Sequence, residues 1–335
     1  MSVAKNRGQE YSCPAFFSDL ARRILITGSI AYDVLLGYEG SFADAIDPKS
    51  LQNLSLSFFS PRFARHHGGT AANIAWNLRL LGGDPLVVSA VGIDGGSYKA
   101  LLSERGIDVR HIQEIADHVT ATAIIATDSG ERQIAFFHPG ADAAGTWPVL
   151  DQERDDLAYG IVSPRDTRQM TEAMLWCDRM KVPVFFDPGQ QIIAFSADEL
   201  KRLTKVGCGV IVNDYEWGLL KDALKVSEKS VTSLTPLVIV THGEKGVTVL
   251  TKDGEMKLKA CRPDRIIDPT GAGDAFRGGL LFGLSQGWDT EVACRLGAVM
   301  GSKAVAQEGT LLDSLDLDDV WARAQETYGK ALPML

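Results

Sequence analysis

The chain has 335 residues, of which 45% are hydrophobic and 23% are charged, and its formal net charge is −9. This length allows one large α/β domain with a small accessory element, and the negative charge argues against a nucleic-acid-binding surface, which needs clustered Lys and Arg. No apolar run reaches the roughly 18 residues that a membrane helix needs, so we expect neither a nucleic acid nor a membrane as a partner.

The N-terminal segment and the cysteines indicate a cytoplasmic protein. The apolar run 13–17 is too short for a signal peptide and Asp19 follows it, so we expect residues 1–22 to be an extension that precedes one folded domain, 23–335. The five cysteines lie far apart and include no Cys-x-x-Cys pair. This spacing favours free thiols in a reducing compartment over disulfides or a structural zinc site.

Short apolar runs alternate with helical patterns along the chain. The run 24–27 predicts a buried strand, and 71–81 predicts a helix because its apolar residues recur at helical spacing. Further strands are predicted at 86–91, 184–186, 210–212 and 237–240. Almost wholly apolar strands that alternate with helices are typical of an α/β fold with a doubly wound, mostly parallel sheet flanked by helices.

Two inserts, about 33–67 and 111–140, interrupt this alternation with strand patterns and no long helices. In the second insert, the runs 120–127 and 133–137 flank Asp128-Ser129-Gly130, a sequence typical of a hairpin turn. Because both inserts adjoin strands of the sheet, we expect them to meet as one small β-rich lid over its edge.

The segment Asp268–Asp274, Asp-Pro-Thr-Gly-Ala-Gly-Asp, carries the strongest chemical signal. An apolar helical pattern follows it, so the amides of Gly271, Ala272 and Gly273 are expected at the N-terminus of a buried helix, where they form an anion site. Phosphoryl transfer needs such donors together with a base for the attacking hydroxyl, and Asp274 supplies a carboxylate beside them. The alternative is a helix start that merely needs Gly for a turn and Asp as a cap.

From about residue 23 to the C-terminus, the chain resembles the ribokinase family, also called the PfkB-type carbohydrate and nucleoside kinases. The resemblance depends on two signatures, Gly68–Asn73 and Asp268–Asp274, which stand in the family's order about 200 residues apart. The sequence lacks a P-loop, a protein-kinase motif set and a dinucleotide-binding glycine turn, which removes the commonest other nucleotide sites. The resemblance implies a ribokinase-like fold, with ATP and Mg²⁺ as cofactors and K⁺ as a candidate third.

The same resemblance implies roles for individual residues. Asp274 would deprotonate the acceptor hydroxyl, and the amides of 271–273 would form the anion hole for the moving phosphoryl group. The hydroxyls of the sugar would be bound by Asp33, Gly68, Gly69 and Asn73. ATP would contact Asn213, Thr241, Gly243 and Gly246. Glu216 would organise Mg²⁺ through water, and a monovalent cation would lie at Asp268 and Thr270.

Simpler interpretations exist for several of these residues. Asp33 would then be a solvated turn residue, Asn73 a solvent-facing helix residue, and Glu216 an exposed acid at the start of a helix. These alternatives stay open at the level of the sequence.

The predicted lid bears on the acceptor. Residues 131–141 resemble the nucleoside kinases of prokaryotes, and Gln133 and Phe137 are the candidate contacts to a base, although the Phe136–Phe137 pair is equally explained as lid core. The resemblance thus implies phosphorylation of a nucleoside 5′-hydroxyl, with adenosine as the leading acceptor. A kinase for ribose or fructose is the first alternative, and a non-catalytic ligand-binding protein on the same fold is a remote one. Apolar residues on one face of the lid strands, Ile124 and Ile134 among them, favour a homodimer through the lid.

Overall fold

The structure is a computed structural model that describes residues 23–46 and 55–334. The predicted N-terminal extension, 1–22, and part of the first predicted insert lie outside the described residues. The strands in chain order are β1 (Arg23–Thr27), β2 (Ala31–Gly37), β3 (Arg62–Gly68), β4 (Asp84–Val91), β5 (Ile112–Glu114), β6 (Ala121–Thr127), β7 (Gln133–His138), β8 (Leu157–Val162), β9 (Val184–Phe186), β10 (Gly209–Asn213), β11 (Val238–Thr241), β12 (Val247–Thr251) and β13 (Gly254–Leu258).

Helices connect most of these strands. In chain order they are α1 (Phe42–Ala45), α2 (Thr70–Leu80), α3 (Gly96–Glu104), α4 (Ala141–Ala144), α5 (Thr167–Met180), α6 (Ala197–Val206), α7 (Asp214–Leu224), α8 (Glu228–Val231), α9 (Ala272–Ser285), α10 (Thr290–Val305) and α11 (Leu317–Tyr328). Short 3₁₀ helices lie at Asp151–Asp156, Gly189–Ala194 and Gly243–Lys245. Over the described ranges, none of the helices is long and apolar enough to cross a membrane.

A nine-stranded sheet, the main sheet, runs in the order β13-β12-β11-β10-β9-β8-β1-β4-β5. The strands from β11 to β5 in that order pair in parallel, whereas β12 and β13 pair antiparallel at one edge. The predicted strands correspond to β1, β4, β9, β10 and β11. The prediction of a mostly parallel α/β sheet is therefore confirmed.

Alternate residues of the central strands are buried on opposite faces of the main sheet. In β1, Ile24 and Ile26 belong to one core with α2, α9 and α10, whereas Leu25 belongs to a second core with α5, α6 and α7. All three side chains have 0% exposure. Burial on both faces explains why these strands are apolar at every position rather than at alternate positions.

A second, four-stranded sheet, the small sheet, has the order β3-β2-β6-β7. The two predicted inserts meet in it, because β2 pairs with β6 in parallel. Within the hairpin of β6 and β7, Asp128 Oδ1 accepts the backbone amides of Gly130 at 2.8 Å and Arg132 at 3.0 Å. The predicted hairpin turn is thus confirmed, with an aspartate that satisfies the amides of the turn.

The register of the small sheet separates its residues onto two faces. Asp33, Ala123 and Phe137 stand in one cross-strand row. The next row contains Ile124 and Phe136, whose side chains point to the opposite face because direction alternates along a strand. We call the face that carries Asp33 the inner face and the opposite one the outer face.

The second insert contributes less to the small sheet than the sequence predicts. The predicted range 111–140 includes β5, yet β5 pairs in parallel with β4 at the edge of the main sheet. The physical reason is the burial of Ile112, which is 2% exposed and belongs to the core of the main sheet. Strands of the small sheet in this insert begin at Ala121.

Candidate active site

The start of α9 has the geometry that the glycine-containing segment predicts. Gly271 precedes the helix with φ 78°, a left-handed conformation that favours glycine, and a Cβ there would lie 2.9 Å from Thr310 Cβ. Amides in the first turn of a helix have no intrahelical acceptor. The Ala272 amide is partly engaged, since it donates to Pro269 O at 3.3 Å. Apart from this contact, the first turn of α9 offers amides that could bind an anion.

Asp274 lies in the first turn of α9 and is held by a side chain from α2. Asn73 Nδ2 donates to Asp274 Oδ2 at 2.8 Å, and Thr310 Oγ1 lies 2.8 Å from Asn73 Oδ1. Burial raises the pKa of Asp274 to about 6, although the nearby Arg277 guanidinium and the Asn73 hydrogen bond both oppose that rise. The carboxylate is therefore oriented, ionised at neutral pH, and basic enough to accept a proton.

The start of α2 brings two glycines against the segment Ser29–Asp33. A Cβ on Gly68 would lie 2.3 Å from Asp33 Oδ2. Gly69 has φ 93°, and a Cβ on it would lie 2.6 Å from both Ser29 O and Ala31 N. No other residue type fits this approach of the chain to β2 without displacement.

Asp33 is half-enclosed at this approach, which affects its ionisation. Burial raises the pKa of Asp33 to about 6; Asp268 adds to the rise, and His66 on the neighbouring strand opposes it. Asp33 also raises the pKa of Asp274, so the two carboxylates are within electrostatic reach of one another. The structure therefore groups the predicted sugar-binding residues near the predicted base.

A cavity of about 960 Å³ opens between the carboxyl ends of the main-sheet strands, the start of α9 and the inner face of the small sheet. Such an edge is where open α/β sheets bind ligands, and the volume suits a small-molecule site. Of the predicted site residues, the cavity is lined by Asn213, Glu216, Thr241, Gly243, Gly273, Asp274 and Phe137.

The predicted nucleotide residues lie at the ends of β10 and β11. Asn213 caps α7: its Oδ1 accepts the Glu216 amide at 2.9 Å, and Glu216 Oε2 accepts the Asn213 amide at 2.8 Å. Thr241, at the end of β11, lies beside Asn213 in the sheet. Gly243 has φ 57° and open space where a Cβ would be. These residues share the cavity with Asp274.

Gly246 occupies a different place. It has φ 101°, and a Cβ on it would lie 2.0 Å from Leu258 O. Its carbonyl accepts the His242 amide at 2.8 Å. Gly246 thus shapes the connection between β11 and β12, and it does not line the cavity.

Glu216 is a carboxylate suited to a metal. Burial, and secondarily Asp187, raises its pKa, since both disfavour a negative charge at that position. A divalent cation nearby would stabilise the ionised carboxylate. The residue fits an indirect role in holding Mg²⁺ beside nucleotide phosphates.

Asp268, which belongs to the predicted monovalent-cation site, connects its own loop with the segment 304–309. Its Oδ1 accepts the Thr270 amide at 2.9 Å, and its Oδ2 accepts the Gly309 amide at 3.2 Å. Val305 O accepts the amide of Ile267 at 2.9 Å from the same loop. The segment 304–309 is therefore held beside the loop that contains Asp268 and Thr270.

The lid residues divide into a pair that reaches the cavity and one that does not. Phe136 and Phe137 both line it, with 67% and 57% exposure, although their side chains start from opposite faces of β7. Neither ring is buried lid core, which was the alternative interpretation. Gln133 lies at the hairpin end, where its Nε2 is 3.4 Å from Thr127 Oγ1, and it does not line the cavity.

Two buried ion pairs at the cavity were not predicted from the sequence. Arg277 binds Asp187 through two hydrogen bonds of 2.6 Å each. Arg165 Nη2 lies 2.8 Å from Asp142 Oδ1, and both residues are 3% exposed. For the pair of Arg277 and Asp187, the sequence did contain a signal: an Arg inside the apolar helix pattern after Asp274, and an Asp directly after the strand 184–186.

Comparison with known proteins shows the family of this chain. Residues 40–316 match the family described as "pfkB family carbohydrate kinase". The chain is 30% identical over 328 residues to a nucleoside kinase of Methanothermobacter thermautotrophicus, covering 93% of this chain and 99% of that one.

Solved structures show the same similarity. A Burkholderia thailandensis nucleoside kinase in complex with inosine is 35% identical with a TM-score of 0.80, covering 92% of this chain and 99% of that chain. The same enzyme has been solved with ADP-inosine. A nucleoside kinase of Methanocaldococcus jannaschii, 24% identical over 92% of this chain and 99% of that chain, shares the fold with a TM-score of 0.79. This chain belongs to the pfkB family of carbohydrate kinases and is an ATP-dependent kinase.

Proposed function

We propose that this kinase transfers the γ-phosphoryl group of ATP to the 5′-hydroxyl of a nucleoside, with adenosine as the leading acceptor and Asp274 as the base. One observation carries the proposal: Asp274 stands at the mouth of α9 and faces a single cavity that also receives the strand ends at Asn213 and Thr241 and the aromatic lining of the small sheet. A donor and an acceptor bound in that cavity would meet at Asp274.

The residues support an in-line transfer. Asn73 holds one oxygen of the Asp274 carboxylate and so orients the other towards the acceptor hydroxyl. The hydroxyl proton moves to Asp274 as the 5′-oxygen bonds to the γ-phosphorus, and the bond to the β–γ bridging oxygen breaks to release ADP. The amides of 271–273 stabilise charge on the moving group, a contribution that preorganised donors supply without rearrangement.

The cofactors follow from the same residues. ATP would lie along Asn213, Thr241 and Gly243, with Mg²⁺ near Glu216. Mg²⁺ would neutralise charge on the β- and γ-phosphates and keep the phosphates aligned. A monovalent cation such as K⁺ at Asp268 and Thr270 would stiffen the loop that leads into the anion hole. Neither cation performs a proton transfer in this scheme.

The small sheet supports a nucleoside as the acceptor. Its inner face presents Ala123, Ile125, Ala135 and Phe137 to the cavity, an apolar lining that suits a flat base. The relative from Burkholderia thailandensis was solved with inosine, which makes purine nucleosides the first acceptors to test. We further propose that the small sheet acts as a lid that closes on the nucleoside.

A sugar phosphate is a poor match for the lid. Arg65 and Arg132 are the lid cations that the sequence offers for a phosphate. Arg65 Nη2 instead binds Asp94 at 3.0 Å, and Arg132 Nε binds Asp128 at 3.0 Å. Neither arginine lines the cavity.

A coupled assay of ADP release tests the proposal. The purified protein is supplied with Mg·ATP and, in parallel, adenosine, inosine, cytidine, ribose and fructose, with KCl present or replaced by choline chloride. We expect kcat/KM to be highest for a purine nucleoside, with the product identified as the 5′-monophosphate. Preference for ribose or fructose would replace the proposal with a sugar kinase, and no turnover with any acceptor would favour a ligand-binding protein.

A further inference from the structure

Arg277 is a buried cation at the start of α9 that the scheme above does not use. It lies one turn beyond Asp274 and is 7% exposed. Its Nε and Nη2 donate to the two oxygens of Asp187, each at 2.6 Å, and its Nη1 donates to Gly273 O at 3.0 Å. One guanidinium therefore connects the end of β9 with the turn that forms the predicted anion hole.

Structural stability alone does not explain this pair. Removing two charges from water is costly, and replacing a buried ion pair by neutral residues of similar size is often neutral or stabilising. The positions before and after Arg277 in α9 are buried and mostly apolar, so an apolar residue would suit the core there. Instead, both Arg277 and Asp187 line the cavity beside Asp274.

The bond to Gly273 O acts on the backbone of the predicted anion hole. In an α-helix, this carbonyl also accepts the amide four residues later, which belongs to Arg277 itself. Main chain and side chain of Arg277 thus restrain the same peptide. Because the direction of that peptide sets where the neighbouring amides point, the restraint keeps the first turn of α9 in one conformation.

The charge of Arg277 also faces the predicted base. Arg277 is the cation that lowers the pKa of Asp274, whereas Asp187 and Asp33 raise it. The ionisation of Asp274 therefore depends on one cation from its own helix and on anions from β2 and the end of β9.

We propose that Arg277, clamped by Asp187, is a positioning residue for phosphoryl transfer that fixes the Gly273 peptide and places positive charge beside the Asp274 carboxylate. This role rests on the proposed kinase chemistry of the cavity. A positioning residue differs from a structural ion pair in one respect. Loss of Arg277 would change the ionisation of Asp274 and the direction of the anion-hole amides even when folding is preserved.

The test compares the wild-type protein with Arg277→Met, Asp187→Asn and the double variant Asp187→Asn/Arg277→Met. Arg277→Met leaves a buried carboxylate unpaired and is expected to lower the thermal midpoint. The double variant removes both charges and is expected to regain most of that midpoint. Thermal midpoint, kcat, KM for ATP and the pH profile of kcat are measured for these four proteins and for Arg277→Lys.

We expect kcat of both Arg277→Met proteins to fall by about 10²-fold, the scale of a small misplacement at the reacting centre. In Arg277→Met the acidic limb of the pH profile should move up by about one unit or more, because an opposite charge is lost. In Asp187→Asn it should move down, because a like charge is lost. Arg277→Lys should keep the acidic limb near its wild-type position, because the positive charge remains. Its kcat should stay low, because lysine cannot make the paired hydrogen bonds with Asp187.

The result that overturns the inference is a double variant with wild-type kcat, or an Arg277→Met limb that does not move. The pKa of Asp274 is also read by ¹³C NMR of side-chain carboxyls, assigned with Asp274→Asn, without any acceptor present. If the wild-type protein turns over no nucleoside while these shifts occur, the proposed function fails and the positioning of Asp274 by Arg277 stands.

Discussion

The start of α9 and the inner face of the small sheet form two sides of one cavity, and they are built differently. At α9, the carboxylate of Asp274 accepts a hydrogen bond from Asn73 at 2.8 Å, and Arg277 donates two hydrogen bonds of 2.6 Å to Asp187. At the small sheet, Phe136 and Phe137 are more than half exposed, and their rings carry no hydrogen-bonding group. The first side is organised in advance, whereas the second presents exposed apolar surface to the cavity.

From this contrast we expect the start of α9 to determine the rate of the reaction and the small sheet to determine the affinity for the nucleoside. Groups that act on the transition state need fixed positions before the substrate arrives. Apolar rings that cover a base contribute to binding, and they do so when they close on it. Changes at α9 should therefore lower kcat, and changes at the small sheet should raise KM.

The largest effect is expected for Asp274→Asn. The amide keeps the size of the side chain and its hydrogen bond with Asn73 but cannot accept the hydroxyl proton, so kcat should fall by about 10²–10⁴-fold. ATP binding, measured by calorimetry, should change little. Near-normal turnover in this variant would contradict the role of Asp274 as base.

A backbone change that moves α2 comes next. Gly69→Ala places a Cβ 2.6 Å from Ser29 O at φ 93°, and we expect kcat/KM to fall by about 10–100-fold as Asn73 shifts from Asp274. Gly82→Ala is the matched control, because Gly82 has φ 90° with nothing within 4 Å of its Cβ. The control carries the strain of a positive φ without the clash, so it should lose stability by about 1 kcal/mol and keep its activity. Equal losses of activity in both variants would show that backbone strain, not the approach to β2, is responsible.

The small sheet should respond through KM. Phe137→Ala is expected to raise KM for the nucleoside about tenfold, since a ring stacked on a base contributes about 1–3 kcal/mol, with kcat nearly unchanged. Phe136→Ala, whose side chain starts from the outer face, should have a smaller effect. The reverse order of the two variants would mean that the inner face does not hold the base.

The last prediction concerns stability rather than rate and sharpens the contrast at α9. The pKa of Asp274 is raised in the folded protein from 3.8 to about 6. The stability that follows from binding this proton is present below about pH 4 and is lost as the pH rises through 6. Asp274→Asn should therefore be more stable than the wild-type protein by up to about 3 kcal/mol at pH 8, and the difference should vanish near pH 4. A difference in thermal midpoint that is independent of pH would contradict the burial of this charge.

Local patterns determined much of the fold. Buried strands such as β1 and β10 were predicted because burial on both faces leaves an apolar run at every position. The start of α9 was predicted because unpaired amides, a positive φ and a nearby carboxylate are local needs, met by Gly271–Asp274. The Asp128 turn was predicted for the same reason, since its side chain binds amides two and four residues further on.

The contacts between site residues from distant segments depend on the tertiary structure. Asn73 meets Asp274 across 201 residues, and Asp187 meets Arg277 across 90 residues. Gln133 and Gly246 were predicted to contact the base and ATP, yet neither lines the cavity. Strand β5 was predicted in the lid but belongs to the main sheet. Periodicity indicates whether a residue is buried, and turn residues indicate where the chain reverses. Which residues come into contact depends on the order of the strands and on how the helices cross. That order is set by packing of the whole core, which no short segment of the sequence contains.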